Sequence, residues 1–556
     1  MRRSTLASLL GAMAACSGPQ DGSPGPEPGP VRVIVVGMDT VRADHMGFLG
    51  AAGGMTPSLD RLAAESIVFG QAWAPAPRTR PSFRSATTGR WPLSAAGAPT
   101  LGEILRPRGF RTGGFVANVQ LSKELGFAEG FDIWALNNMA TADQQVDTAL
   151  EWLTEQGSEG VFLSLHVMDP HIFYTAPEPF RDRYTDAVDR EGMPDKYNRA
   201  DVLKLQQRGM LSDAQRRWIQ GRYQGEISFM DQELGRLVEA VDRLPGETWM
   251  IFHSDHGEEF WDHGGFEHNH SLHDELLHAV LMIRPPKGAG IEPVRIDRPV
   301  SLVDIPPTVL SIVGMEPGSW PTFDGWDLSP LWSDVDGDAL GKRLSQRPLQ
   351  IGHMMYSKEA WGVIVGAEKY VVQTSTGEVS WTRRGAPMAG RNSALEGALS
   401  EATGWPVLQG YRVAFSMLNT PIQLRFERPI TKAVVVDPEA LLQRRANIAW
   451  GERPVRRPTD VAALEVSDDR RELKVVPGPQ PSGVVFVALD PADNPVRSAC
   501  QGDVDAPLVE GEQSLCGTPV TVSVGPYLDL PPTEAPVSEV DDAASIETLK
   551  QLGYLD

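Results

Sequence analysis

At 556 residues and 41% apolar content, the chain is long enough for a large core and an added domain. Its formal net charge of −22, with no polybasic run, excludes nucleic acid as an expected partner and disfavours charge-driven adhesion to anionic membrane.

Arg2-Arg3, a short apolar stretch and small residues before Cys16 read as a lipoprotein-type export signal, too short to span a bilayer. An ordinary signal peptide with an incidental cysteine is the alternative. Residues 17–30 are Gly/Pro-rich and read as a spacer, so 1–30 is assigned to signal and linker. Membrane contact is then expected only through a lipid on Cys16, at the cell envelope. The run Val31-Arg32-Val33-Ile34-Val35-Val36 reads as a strand buried on both faces, which signals a parallel sheet. It delivers Asp39 to a carboxyl edge, where open α/β sheets hold ligands. Thr56-Pro57 opens a helix with Leu59 and Leu62 on one face. In Arg78-Thr79-Arg80-Pro81, Pro81 fits the first helical position and Gly89 the stop, which places Thr79 just ahead of a helix N-terminus that favours anions.

Val146, Ala149, Leu150 and Leu153 stripe a helix over 142–156. The strand Val161–Val167 leads to Asp169-Pro170-His171. Residues 175–211 lack a clear core pattern and are expected to cover the site. An amphipathic helix follows over 212–244, with Gly221 and Gly225 as candidate interruptions. Trp249–Phe252 is a third buried strand, ending in Asp255-His256. Five of the chain's 11 histidines fall between 253 and 270, and carboxylate beside imidazole suits a zinc- or manganese-type site. His263 and His273 read as solvated. Past 390, short β runs broken by Pro, Gly and Asp suggest a β-sandwich, assigned to 396–535 after a catalytic domain at 31–395. Cys500 and Cys516 are candidates for a disulfide. Residues 536–556 read as a terminal segment whose helix docks on the catalytic domain.

Asp39-Thr-Val-Arg-Ala-Asp, Thr56-Pro-Ser-Leu-Asp-Arg, the Thr79 segment ending Thr88-Gly-Arg-Trp-Pro, Asp169-Pro-His171 and Ser254-Asp-His-Gly-Glu resemble the sulfatase-type members of the alkaline phosphatase superfamily. The likeness extends to Val300-Ser-Leu-Val-Asp-Ile-Pro-Pro-Thr and to the terminal Leu549-Lys-Gln-Leu-Gly-Tyr-Leu. It implies an α/β fold, an αβα sandwich with a mostly parallel central sheet, and one or two metals at the sheet's carboxyl edge. By the same resemblance Asp39, Asp255 and His256 match metal ligands. Thr79 matches the nucleophile, itself metal-bound, and His171 a substrate contact. His268 stands where the family places a group serving the leaving oxygen, and His270 is a neighbour whose role is not separable from it. Arg84 and Arg90 are carried as substrate contacts.

Departures from the family pattern choose the reaction. Sulfatases carry Cys or Ser at the Thr79 position, oxidised to formylglycine, and threonine cannot give that aldehyde. The arginine that follows is Phe83 here, with Arg84 one step along and rotated by about 100° on a helix. One of the family's paired carboxylates is Thr40. A threonine alkoxide with Asp/Asp/His ligands instead resembles the phosphatase, phosphodiesterase and phospholipid-headgroup transferase branches. The expected activity is metal-dependent hydrolysis or transfer of phosphate mono- or diesters through a phospho-threonyl intermediate. Small-molecule, glycan or lipid-headgroup esters are the expected substrates. A sulfuric ester hydrolase without formylglycine is the second reading, and a lipid-anchored binding protein on a decayed catalytic fold the third. Zinc or manganese is favoured by the nitrogen ligand, with calcium or magnesium as alternatives. One ion is expected; a second is left open.

Overall fold

The computed structural model describes residues 31–407, apart from 158, 186–189, 191, 334–336, 353–359, 374–377, 391 and 406, and then the strands between 407 and 528. The export signal with Cys16, both Cys500 and Cys516, and the terminal helix lie outside the described residues.

Eight strands form the central sheet: β1 Val31–Met38, β2 Ile67–Phe69, β3 Arg111–Val116, β4 Ile133–Leu136, β5 Val161–Val167, β6 Glu247–Ser254, β7 Leu281–Arg284 and β8 Val294–Ile296. Their order is β8-β2-β7-β6-β1-β5-β3-β4. Strands β6, β1, β5, β3 and β4 pair in parallel, and β7 runs antiparallel between β6 and β2. Strand β1 alternates between two cores, as a period of two requires. Val33 and Val35 join Phe162, Ile251 and Leu281 on one face, while Ile34, Val36 and Met38 join Leu163, Leu165 and Phe252 on the other. Each fully buried aliphatic side chain there contributes about 1.5–3 kcal/mol.

Helices cover both faces, so the parallel sheet is buried as such sheets must be. On the Ile34 side lie α1 (Pro57–Ala63), α3 (Ala142–Thr154) and α4 (Asp213–Val241), presenting Leu59, Val146, Leu153, Met230 and Leu237. The Val33 side carries α2 (Thr79–Thr88) through Ala86 and α5 (Ile305–Ile312) through Val309 and Leu310. Ser212 starts α4 with a capping box closed by Gln215. Gly221 and Gly225 do not interrupt this helix. A Cβ at Gly221 would stand 2.4 Å from the Tyr184 carbonyl oxygen, and one at Gly225 2.4 Å from that of Phe180, so the glycines admit a neighbouring backbone. The segment expected to lack core residues therefore packs on α4, burying Phe180, Met193, Tyr197 and Val202.

Beyond the central sheet come a five-stranded antiparallel sheet over residues 349–387 and the Ser393–Thr403 helix. Two further five-stranded antiparallel sheets, built from strands between 407 and 528, form the β-rich part expected there. Among the described residues, no helix is long and apolar enough to cross a membrane.

Candidate active site and metal centre

The registers Met38↔Ser254 and Met38↔Val167 end β6, β1 and β5 at one level, so Asp39, Asp255-His256 and Asp169–His171 emerge side by side. Asp39, Asp255 and His256 are wholly buried, and one ligand atom from each lies within 4.8 Å of the others. The His256 Nδ1–H donates to the Gly257 carbonyl at 2.9 Å, a tautomer that leaves the Nε2 lone pair facing inward. That nitrogen stands 3.5 Å from Asp255 Oδ2, 3.8 Å from Asp39 Oδ1 and 3.4 Å from Thr79 Oγ1.

Each carboxylate has one oxygen occupied and one left over. Asp39 Oδ2 accepts from Asn118 Nδ2 at 2.8 Å, and Asp255 Oδ1 accepts from the backbone of Thr40 and of His256. Asp39 Oδ1 and Asp255 Oδ2 are buried without a hydrogen-bond partner. Burial drives the Asp39 carboxyl up, but the hydrogen bond to His166 and the charges of three nearby histidines outweigh it and hold it below the usual range. Asp255 goes the other way, raised well above that range by burial and by Asp39. Two buried carboxylates, one of which resists ionisation beside the other, form a group with His256 that could hold a cation. Two oxygens, one imidazole nitrogen and a hydroxyl fit a zinc- or manganese-type ion.

Thr40 shows how the missing second aspartate is tolerated. Its φ of 56° is costly for a β-branched residue, on the order of 1–3 kcal/mol. In that conformation its N–H reaches Asp255 Oδ1 at 3.2 Å, and its carbonyl accepts from Tyr223 at 2.8 Å. Backbone, not side chain, serves the site at this position.

Thr79 is itself the first residue of α2, after Arg78 in extended conformation, with Pro81 two places in. Proline is tolerated there because the first turn's N–H groups have no helical partner. Ser82 Oγ donates to the Asp255 carbonyl at 2.5 Å and ties α2 to the end of β6. Phe83 fills the position of the family's arginine as a core residue. It lies against His166, His253 and Phe127, and a Cβ on Gly37 would stand 2.7 Å from its ring.

His268 lies next to the candidate ligand His256, its ring 4.6 Å from that of His256 and 5.2 Å from that of His171. Its Nδ1 is 2.9 Å from Glu258 Oε1, and Tyr174 donates to Glu258 Oε2 at 2.9 Å. Glu267 (φ 69°) and Asn269 (φ 74°) bracket it in the left-handed region, so the loop is bent to aim this side chain. Burial, then His256 and His171, push His268 well below an ordinary histidine.

Three sequence candidates are not part of this group. His270 has Nε2 on Glu259 at 2.8 Å and Nδ1 on the His268 carbonyl at 3.1 Å, so its ring is held by the loop. Arg84 donates to the carbonyls of Gly126 and Leu125 and covers the Phe127 ring, on the turn of α2 away from Thr79. Arg90 pairs with Asp324 at 3.2 Å beyond the far end of α2. The arginines that flank Thr79 in the chain are Arg78, buried, and Arg80, whose Nε donates to Gln120 at 3.1 Å. Burial, then Arg78 and Arg84, push Arg80 down to about 9. Glu258 and Asn118 escape sequence reasoning because loop residues carry no periodic signal, and Arg78 and Arg80 because a helix start is too short a run to show one. Only the position of the two arginines on either side of Thr79 points to them.

The family model described as Sulfatase matches residues 32–315, just over half of the chain. This chain belongs to the sulfatase family. It is a hydrolase of the alkaline phosphatase superfamily, and metal dependence is a property of that family. It is 24% identical over 343 residues to the uncharacterized sulfatase YidJ of Escherichia coli K12, covering 51% of this chain and 68% of that protein. An ulvan-active sulfatase of Formosa agariphila is 23% identical over 360 residues, covering 56% and 67%. Among solved structures, a putative sulfatase yidJ from Bacteroides fragilis superposes with a TM-score of 0.53 at 18% identity, over 70% of this chain and 98% of that one. A protein solved with its substrate D-glucosamine-2-N,6-O-disulfate gives 0.51 at 17% identity, over 68% and 97%. These two likenesses establish the fold.

Proposed function

We propose that this sulfatase-family chain hydrolyses phosphate mono- or diesters, or transfers their phosphoryl group, with Thr79 as nucleophile. The observation that carries the reading is the Thr79 hydroxyl, at the start of a helix and 3.4 Å from His256 Nε2, the same nitrogen that stands 3.5 and 3.8 Å from the two unpartnered carboxylate oxygens. A divalent ion bound by Asp39, Asp255 and His256 would acidify that hydroxyl and take up negative charge at the transferred group. The start of α2 at Thr79 and Arg80, with its helix dipole, favours the negative charge of the transferred group, and Arg78 and Arg80 add positive charge. Attack by Thr79 Oγ1 on phosphorus forms the Thr79 O–P bond and breaks the bond to the leaving oxygen.

His268 protonates that oxygen, with Glu258 fixing Nδ1 so that Nε2 faces the site. Burial keeps His268 neutral in the free protein, and an anionic ester in the pocket favours the imidazolium that the step needs. His171 contacts the transferred group. Water or an acceptor alcohol then releases the phosphoryl group from Thr79. Export through the N-terminal signal and anchoring at Cys16 would put this chemistry on small-molecule, glycan or lipid-headgroup esters at the cell envelope.

A sulfuric ester is the second reading, favoured by relatives that are named sulfatases. A panel of aryl phosphate, aryl phosphodiester and aryl sulfate, run with and without chelator, separates the two. Phosphoesters turned over faster than sulfate, with loss of activity in chelator, is the expected result. Sulfate turned over fastest would overturn it, and no turnover by metal-replete protein would favour a binding protein.

A further inference from the structure

We propose that Glu259, His263 and Glu275 form a second, structural divalent-cation site, suited to zinc, that clamps the loop carrying His268. It shares no residue with the Asp39/Asp255/His256 set, and one ligand atom of each of its three members lies within 4.8 Å of the others. Two of the three are carboxylates largely withdrawn from water, with side-chain exposures of 1% for Glu259 and 7% for Glu275. His263 Nδ1 is 2.7 Å from Glu275 Oε1.

The ligands are held before any ion arrives. Glu259 Oε1 accepts from the backbone of His263 at 3.0 Å and of Gly265 at 2.6 Å, and its Oε2 faces His270 Nε2 at 2.8 Å. His263 lies flat on His273, ring centroids 3.7 Å apart and planes 6° from parallel. That stack fixes the plane of His263 while half its side chain faces water, where a solvent ligand can enter. Tetrahedral zinc with bonds of about 2.0–2.1 Å spaces its ligand atoms about 3.3 Å apart. The 2.7 Å contact needs only a small opening to reach this.

The position gives the ion a task. Its ligands lie on both sides of His268 in the chain, and Glu259 reaches His268 through His270, which donates to the His268 carbonyl. An ion would therefore join the turn after Glu259 to the start of the Asp274–Leu277 helix and limit movement of the bent loop between them.

The test is calorimetric zinc titration of the chelator-treated full-length protein. Two sites are expected in the wild type, one in His263→Ala, one in Glu275→Gln, and one in Asp255→Asn. His263 is half exposed, so His263→Ala should melt in chelator as the wild type does, and zinc should raise its melting temperature less. His263→Ala and Glu275→Gln binding as many ions as wild type would overturn the proposal. A single wild-type site lost in Asp255→Asn would also overturn it while leaving the catalytic centre intact. A single site lost in Glu275→Gln but kept in Asp255→Asn would support it and sink the catalytic metal instead.

Discussion

The ends of β1 and β6 and the histidine-rich loop after them supply the same residue types but position them by different physics. Asp39, Asp255 and His256 are placed by the hydrogen-bond ladder, since Met38 pairs with Ser254 and so sets the level at which both strands end. The loop histidines are placed by carboxylate partners. Glu258 is the last loop residue before the two-residue strand Glu259–Phe260, and the two glutamates engage different histidines. Glu258 takes His268 inward, and Glu259 takes His270 outward. A ligand at a strand end is set by register; a histidine on a loop goes where its partner is.

The largest effect should break the strand-end group. Thr79→Ala is expected to lower kcat by at least ~10^3-fold while three protein ligands still retain the metal, read by single-turnover kinetics alongside metal content. Unchanged turnover would remove Thr79 from the chemistry. Asp255→Asn should lose both activity and the ion, because a buried carboxylate ligand is replaced by a neutral amide; full metal occupancy in that variant would contradict the ligand set.

The next effects sharpen the contrast between the two glutamates. Glu258→Gln should cost about 10–100-fold in kcat with little change in KM, and should alter the acidic limb of the pH–rate profile. An unaltered pH profile would give Glu258 a structural role only. His270→Gln should change kcat by less than about threefold, since its ring is engaged outside the pocket. A loss matching that of His268→Gln would erase the distinction between the two histidines.

A smaller effect belongs to the layer beneath. Asp231 on α4 accepts from the N–H groups of Ser58 and Leu59 at the start of α1, and burial raises it to about 6. Folding therefore takes up a proton between about pH 4 and pH 6, and stability from this group falls as pH rises through that window, by at most about 3 kcal/mol. Denaturant melts of Asp231→Asn should lose this part of the slope; an unchanged slope would assign it elsewhere.

Legibility in the sequence divides along the same line. The three buried strands and the residues that end them are legible because an apolar run ending in a charged residue marks a sheet edge. Arg84 stands next to Phe83 in sequence, yet one residue on a helix turns a side chain by about 100°, and it faces Phe127 instead. Asn118 escapes because its link to Asp39 spans 79 positions and it precedes a short 3₁₀ turn without periodicity. Gly221 and Gly225 look like helix breaks because a sequence does not show the backbone that lies against them.

The most direct test of Thr79 as nucleophile is intact-mass and peptide analysis of the metal-replete protein quenched during turnover of an aryl phosphate. A gain of one phosphoryl mass on the Thr79 peptide, absent from Thr79→Ala and from chelated wild type, is the predicted result. Turnover without any phosphorylated Thr79, in a protein whose Thr79→Ala variant is equally active, would contradict it.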